Sequence, residues 1–167
     1  AIPFYKMAKK QGIKPIIGCE MYVAIGDHKD RKTNIENNGN KRDYHHLVLL
    51  AQNQQGYLNL IQLVTKAYLK GFYYKPRTDK ILLKKFNEGL IATSACLAGE
   101  VNHHASKDDY EKAKKAALDY EKIFPGRFYL EVQDHGILAE KKSHEILTRL
   151  SKELNIPLVA TNDNHYA

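Results

Sequence analysis

Apolar and polar positions change period several times along the chain, and each change marks an element. In residues 53–71, Leu58, Ile61, Leu63, Val64, Ala67 and Tyr68 recur with helical spacing, and Gly71 stands where such a helix stops. Residues 3–12 read as the end of another helix, closed by Gly12. Residues 79–89 predict a short helix with Asp79 placed to cap it. Residues 106–124 predict an amphipathic helix capped by Ser106, with Tyr110, Ala113, Ala117, Tyr120 and Phe124 on its inner face. A further helix is expected over 137–155. Between these lie short apolar runs that read as strands: 13–24, 45–51, 90–95, the second part of 125–133, and 156–160. Residues 25–43 are polar and rich in Asn and Gly, so a long mobile loop is expected there. Residues 72–79 mix aromatic and basic side chains and read as an irregular link.

Five short strands separated mostly by helices argue for an α/β fold, either a parallel sheet or a barrel of βα units. The length, 167 residues, suits one domain with a core of its own. No internal repeat and no Gly-rich phosphate loop is present. An apolar fraction of 43% is that of an ordinary globular protein, and no run approaches the ~20 apolar residues of a membrane helix. The start, AIPFYKMAKKQG, lacks the apolar core of a signal peptide and lacks an initiator Met, which reads as a piece of a longer chain. Two cysteines, Cys19 and Cys96, are too few for a secreted disulfide scaffold, so a reducing cytoplasm is expected. A formal charge of +7 favours a polyanionic partner, nucleic acid before membrane.

In parallel α/β folds, ligands gather at the strand ends. The expected strand ends offer Cys19 and Glu20, then Ser94 and Cys96, then Glu131, Asp134 and His135, and last Asp163 and His165. The second strand instead carries His45 and His46 at its beginning. These are mostly metal-ligating side chains, and no serine sits on a nucleophile elbow. Carboxylate and imidazole suit zinc, manganese or iron, and a thiolate moves the choice toward zinc. Two or more such ions would turn water into a nucleophile and clamp a phosphate. Asp163 and His165, two apart on an expected strand, would share one face. A carboxylate inside IIGCEMYV, Glu20, needs a partner. His28, His103, His104 and His144 read as surface residues.

Five blocks carry a resemblance: GIKPIIGCEMYVA, HHLVLLAQNQQGYLNLIQLVTKAYLKGFYYKPRTD, NEGLIATSACLAGEV, RFYLEVQDHG and IPLVATNDNHYA. In this order they resemble the PHP domain of bacterial DNA polymerase III alpha subunits, over essentially the whole chain. The resemblance implies a distorted (β/α)7 barrel with a multi-metal site at its mouth. It implies Glu20, His46, Cys96, Asp163 and His165 as metal ligands, with Glu131 and His135 as candidates just outside them. Family members also carry a His-x-His strand and an Asp-His-Gly block. Both would precede Ala1, so the resemblance implies a fragment lacking those motifs and a barrel incomplete at its N-terminal strands.

The resemblance further implies a parent enzyme that is a DNA-directed DNA polymerase, dependent on magnesium, whose polymerase active site lies outside this piece. Expected partners are DNA and other replicase subunits, a proofreading exonuclease subunit and the sliding clamp, and no membrane. Relatives with a complete ligand set resemble metal-dependent 3′-5′ exonucleases, and weak or no such activity is expected of the piece itself. Two other readings stand beside this one: a free-standing PHP phosphoesterase of the histidinol-phosphatase type, and a non-catalytic structural or docking domain of the replicase. Lys70, Lys75 and Arg77, among Phe72, Tyr73 and Tyr74, are candidates for contact with nucleic acid or a partner.

Overall fold

The structure, a computed structural model, describes residues 1–31 and 43–164. Most of the expected loop over 25–43, and His165, lie outside the described residues. The elements in chain order are α1 (Ile2–Lys10), β1 (Gly18–Ala24), β2 (Tyr44–Ala51), α2 (Gln54–Leu69), β3 (Phe72–Tyr73), β4 (Lys75–Thr78), α3 (Lys80–Lys85), β5 (Leu90–Thr93), α4 (Glu100–Ala105), α5 (Tyr110–Ile123), β6 (Phe128–Gln133), α6 (Leu138–Leu154) and β7 (Leu158–Thr161). The result is a mixed α/β architecture. Among the described residues no helix is long and apolar enough to cross a membrane.

The strands form a seven-stranded sheet in the order β3-β4-β1-β2-β5-β6-β7. It is not the all-parallel sheet that one of the two sequence readings favours. β2 runs antiparallel to both its neighbours, β1 and β5, whereas β1–β4, β5–β6 and β6–β7 are parallel. Antiparallel neighbours need no crossover helix between them. Periodicity reports where a strand lies and not its direction, so this reversal was invisible in the pattern.

The irregular link expected over 72–79 is in fact a tight hairpin. β3 and β4 pair antiparallel, Phe72 opposite Pro76 and Tyr73 opposite Lys75, with Tyr74 at φ 55° as the turn. β4 then pairs with β1, Tyr22 beside Arg77.

One face of the sheet is apolar and covered by helices. Met21 and Val23 of β1, Leu47 and Leu49 of β2, Leu90 and Ala92 of β5, and Phe128 and Leu130 of β6 are all buried in the core. Burying each such leucine contributes about 1.5–3 kcal/mol relative to exposure. α2 lies against β1, β2, β4 and β5, while α5 and α6 lie against β6. Period two then sends the intervening residues, Glu20 and Tyr22, His46 and Val48, to the opposite face.

Three helices, α2, α3 and α5, start on short polar side chains. Asp79 accepts from the Leu82 amide at 2.8 Å, as expected, and Asn53 accepts from the Gly56 amide at 2.9 Å. Ser106 does not cap α5. It follows α4, an element the pattern did not announce, and its hydroxyl donates back to the His103 carbonyl. Asp109 caps α5 instead, through the Lys112 amide. The inner face of α2 is also rotated from the expected one. Gly56, Leu60, Leu63 and Ala67 are buried, and Leu58, Ile61 and Tyr68 are exposed. This helix is apolar over more than one stripe, so spacing alone could not choose the buried one.

Candidate metal centre

Glu20 and His46 are brought together by the reversed strand. In the β1–β2 ladder Glu20 faces Val48 and Tyr22 faces His46, so Glu20 and His46 are diagonal neighbours on one face. Their side chains close the gap, with His46 Nδ1 2.9 Å from Glu20 Oε1. The position of His46 at the start of its strand is thereby explained. β2 begins where β1 ends, so a residue early in β2 lies beside residues late in β1.

Cys96 reaches the same place from a loop. β5 ends at Thr93, and Ala95 takes a left-handed conformation, φ 59°, that turns the chain toward β2. The His46 amide then donates to the Ala98 carbonyl at 3.1 Å, and His46 bridges to Gly99. Gly99 is required here, since a Cβ would stand 1.9 Å from the Ser94 carbonyl oxygen. Asn102, buried at the start of α4, ties the loop down. It donates to the carbonyls of Ala95 at 2.8 Å and Glu131 at 3.0 Å, and accepts from the Ser94 hydroxyl at 3.0 Å. Cys96 Sγ ends 3.7 Å from His46 Nδ1.

Glu20, His46 and Cys96 therefore each offer a ligand atom, and the three atoms lie within 4.8 Å of one another. Ligand atoms at about 2.0–2.3 Å from a tetrahedral ion stand roughly 3.3–3.8 Å apart. The 3.7 Å separation falls within that range and the 2.9 Å one lies a few tenths of an ångström below it, so the donor set fits a divalent cation after a small side-chain adjustment. Burial alone would pull the His46 imidazole down. Hydrogen bonds to Cys96 and Glu20, and the charges of both, outweigh it and hold the group at about 9. The pocket thus draws positive charge to Nδ1.

The other expected site residues that are described are not in the converging group. β7 ends at Thr161, and Asp163 lies past it at φ 49°. The alternation that would put Asp163 and His165 on one strand face does not extend that far, and Asp163 is not among the three converging residues. Glu131 is buried on β6. It accepts from Gln133 at 2.8 Å, from the Thr161 hydroxyl at 2.5 Å, and from the Thr93 hydroxyl. Those neutral donors tie β5, β6 and β7 together. His135 pairs with Glu140, Nδ1 to Oε1 2.7 Å, and this bond raises its pKa.

Lys70 and Lys75 are exposed. Arg77 is not available to a partner, being only 2% exposed. Its guanidinium pairs with Asp43 at 2.6 Å and donates to the carbonyls of Gly71, His28 and Asp30. A charge next to aromatics looked like surface because its acidic partner lies far upstream in the chain.

His28 is likewise buried rather than exposed. Its Nδ1 is 2.5 Å from Asp79 Oδ2, and its amide donates to the same oxygen at 3.1 Å. Asp27, His28 and Asp79 also bring ligand atoms within 4.8 Å. The short imidazole–carboxylate contact is that of a hydrogen bond, and Asp79 already caps α3. Of the residues that build the centre, Asn102 and the tyrosines beside His46 were not anticipated. A buried Asn next to the Cys96 block was the available signal for the first.

Against this geometry, a family model described as the PHP domain matches residues 1–135. The chain belongs to the PHP domain family. It is similar to DNA polymerase III subunit alpha of Borreliella burgdorferi, at 48% identity over 99% of this chain and 14% of that protein. It is similar to the same subunit of Campylobacter jejuni, at 46% over 99% of this chain and 14% of that protein. The subunit from Thermus aquaticus is 42% identical over 99% of this chain and 13% of that protein. The chain spans about 14% of the length of these curated relatives.

Proposed function

We propose that the chain is the metal-binding PHP domain of a replicative DNA polymerase alpha subunit, acting on or beside DNA. Residues 1–167 form one domain on this reading, and the sheet belongs to the distorted (β/α)7 barrel that the resemblance implies. The observation that carries the proposal is the convergence of Glu20, His46 and Cys96, one residue from each of three separate blocks.

These three hold a divalent ion, zinc first given the thiolate, with manganese or iron as alternatives. Asp163 and His165 join them as ligands from the end of β7. When bound, such an ion polarises a phosphoryl oxygen and makes water acidic enough to ionise near neutral pH. The residues of the chain do the rest. Glu20 neutralises the ion and orients the His46 ring. The Asn102-pinned loop holds Cys96 in reach, and Glu131 fixes the neighbouring strands. The activity so supported is a metal-dependent phosphoesterase of the 3′-5′ exonuclease type. Polymerisation, with its magnesium, belongs to the remainder of a full-length subunit. Its other partners are the proofreading subunit and the sliding clamp, in the cytoplasm.

Similarity to polymerase subunits, with none to a phosphatase among the named relatives, favours DNA over a small phosphate ester. Elemental analysis of the purified protein, with manganese-supported release of nucleotides from single-stranded DNA, tests the proposal. Bound metal that disappears in Glu20→Gln and in Cys96→Ala supports the site. Metal content equal in all three proteins overturns it.

A further inference from the structure

The sheet face that carries Glu20 and His46 also carries an aromatic series. Tyr22 follows Glu20 by two residues on β1, and Tyr44 precedes His46 by two on β2. Both project from the same face, nearer the edge where β1 ends and β2 begins. The Tyr22 and Tyr44 rings are 4.7 Å apart, tilted by 59°. Tyr22 meets the His46 ring edge-on at 5.2 Å, and Tyr44 lies parallel to it at 6.0 Å and 6°.

The series continues in the other direction. Lys75 Nζ sits over the Tyr22 ring at 5.7 Å. Tyr73 stands opposite Lys75 in the β3–β4 hairpin, and Tyr74, 80% exposed at the turn, packs edge-on against Tyr73 at 4.6 Å. Rings and two cations, the exposed Lys75 and the buried Arg77 guanidinium 5.1 Å over Tyr73, thus cross β3, β4, β1 and β2 and end on His46. Three inter-strand steps make a track of about 14 Å.

A core would close such a series, but Tyr22, Tyr44 and Tyr73 all keep partial exposure and Lys75 is exposed. A small phosphate ester has no use for it. Aromatic faces alternating with a cation match a chain that alternates flat bases with phosphates, and the net charge of +7 suits such a polyanion.

We propose that this track binds single-stranded DNA and feeds its end to the metal centre. Bases stack on the tyrosine faces, Lys75 pairs with an intervening phosphate, and the terminal phosphodiester arrives at Glu20, His46 and Cys96. The delivery step rests on the metal-site reading above; the stacking does not. Every base has a π-face, so the track accepts any sequence. A duplex keeps its bases stacked on one another and is excluded.

The test is fluorescence anisotropy with a dye-labelled oligothymidylate and an abasic strand of equal length, in EDTA. Tyr44→Leu and Tyr74→Leu each weaken oligothymidylate binding by roughly 5- to 100-fold and leave abasic binding as in the wild type. Tyr44→Phe retains affinity. Lys75→Gln weakens both ligands and lowers the slope of log affinity against log salt by about 0.7. Circular dichroism checks folding, and the exposed Tyr74 carries the test if Tyr44→Leu does not fold. Equal wild-type affinity for the two strands, or equal losses on both in the tyrosine variants, overturns the proposal. Metal content of the same preparations separates the two readings. Base-dependent binding without metal keeps the track and removes the nuclease, and metal without base-dependent binding does the reverse.

Discussion

His46 and Glu20 meet across a ladder diagonal: each faces a different residue, Tyr22 and Val48, yet Nδ1 and Oε1 stand 2.9 Å apart. The pair supplies both charge and orientation to the centre. Replacing Glu20 by Gln keeps the shape and removes the charge. Metal affinity is expected to fall by roughly 100-fold or more, beyond what loss of an outer hydrogen bond costs. Competition with a chromophoric chelator measures it. The His46 imidazole should also titrate below its present value of about 9, as read by NMR of the metal-free protein.

That imidazole makes the metal-free protein sensitive to alkali. It holds its proton to about 9, against an ordinary value of 6.5 in an unfolded chain. The folded state binds the proton more tightly, so the contribution of His46 to stability is complete below pH 6.5. It shrinks as pH rises through the interval and is lost above about 9. Urea midpoints of metal-free protein should decline over that window, and His46→Gln should flatten the decline. A bound cation displaces the proton, so metal affinity should climb with pH over the same interval.

Gly99→Ala tests the loop that delivers Cys96. The added methyl would meet the Ser94 carbonyl at 1.9 Å, which is backbone and cannot rotate away. The loop must shift, at a cost of about 1–3 kcal/mol. The distinctive outcome is loss of thiolate coordination, seen as a weakened sulfur-to-metal charge-transfer band with cobalt, at unchanged far-UV circular dichroism.

Arg77→Met should be among the most damaging single changes. It removes one partner of a nearly buried ion pair and takes the guanidinium donor from Asp43 and from the carbonyls of His28 and Asp30. Breaking such a pair costs about 3–5 kcal/mol. Chemical denaturation reads this directly, and an unchanged midpoint would show that solvent already serves those groups.

Much of this was legible in the chain. Runs of apolar residues marked β1, β2, β5, β6 and β7, and Asp79 marked the start of α3. The blocks around Glu20, His46 and Cys96 pointed to three side chains that the structure brings together, Glu20 because a carboxylate in an apolar run needs a partner and the other two through the resemblance. Strand direction was not legible, since period two is the same read either way. The strand-face argument for Asp163 failed because alternation was carried two residues past Thr161, where the backbone turns left-handed. Arg77 was misread because its partner, Asp43, is remote in sequence. Ser106 and Asp109 are both competent caps, and only the presence of α4 decides between them.

The adjacent imidazoles at the start of β2 carry a consequence for folding. His45 and His46 point to opposite sides, so sliding β2 by a single residue would present His45 where His46 belongs. A cation arriving early could trap that counterfeit pairing. What forbids it is the greasy underside of the same strand: a slip would lift Leu47 and Leu49 out of the interior and drive polar atoms in. Fidelity of the face that carries Glu20 and His46 is thus guarded from behind, by side chains on the other side of the sheet.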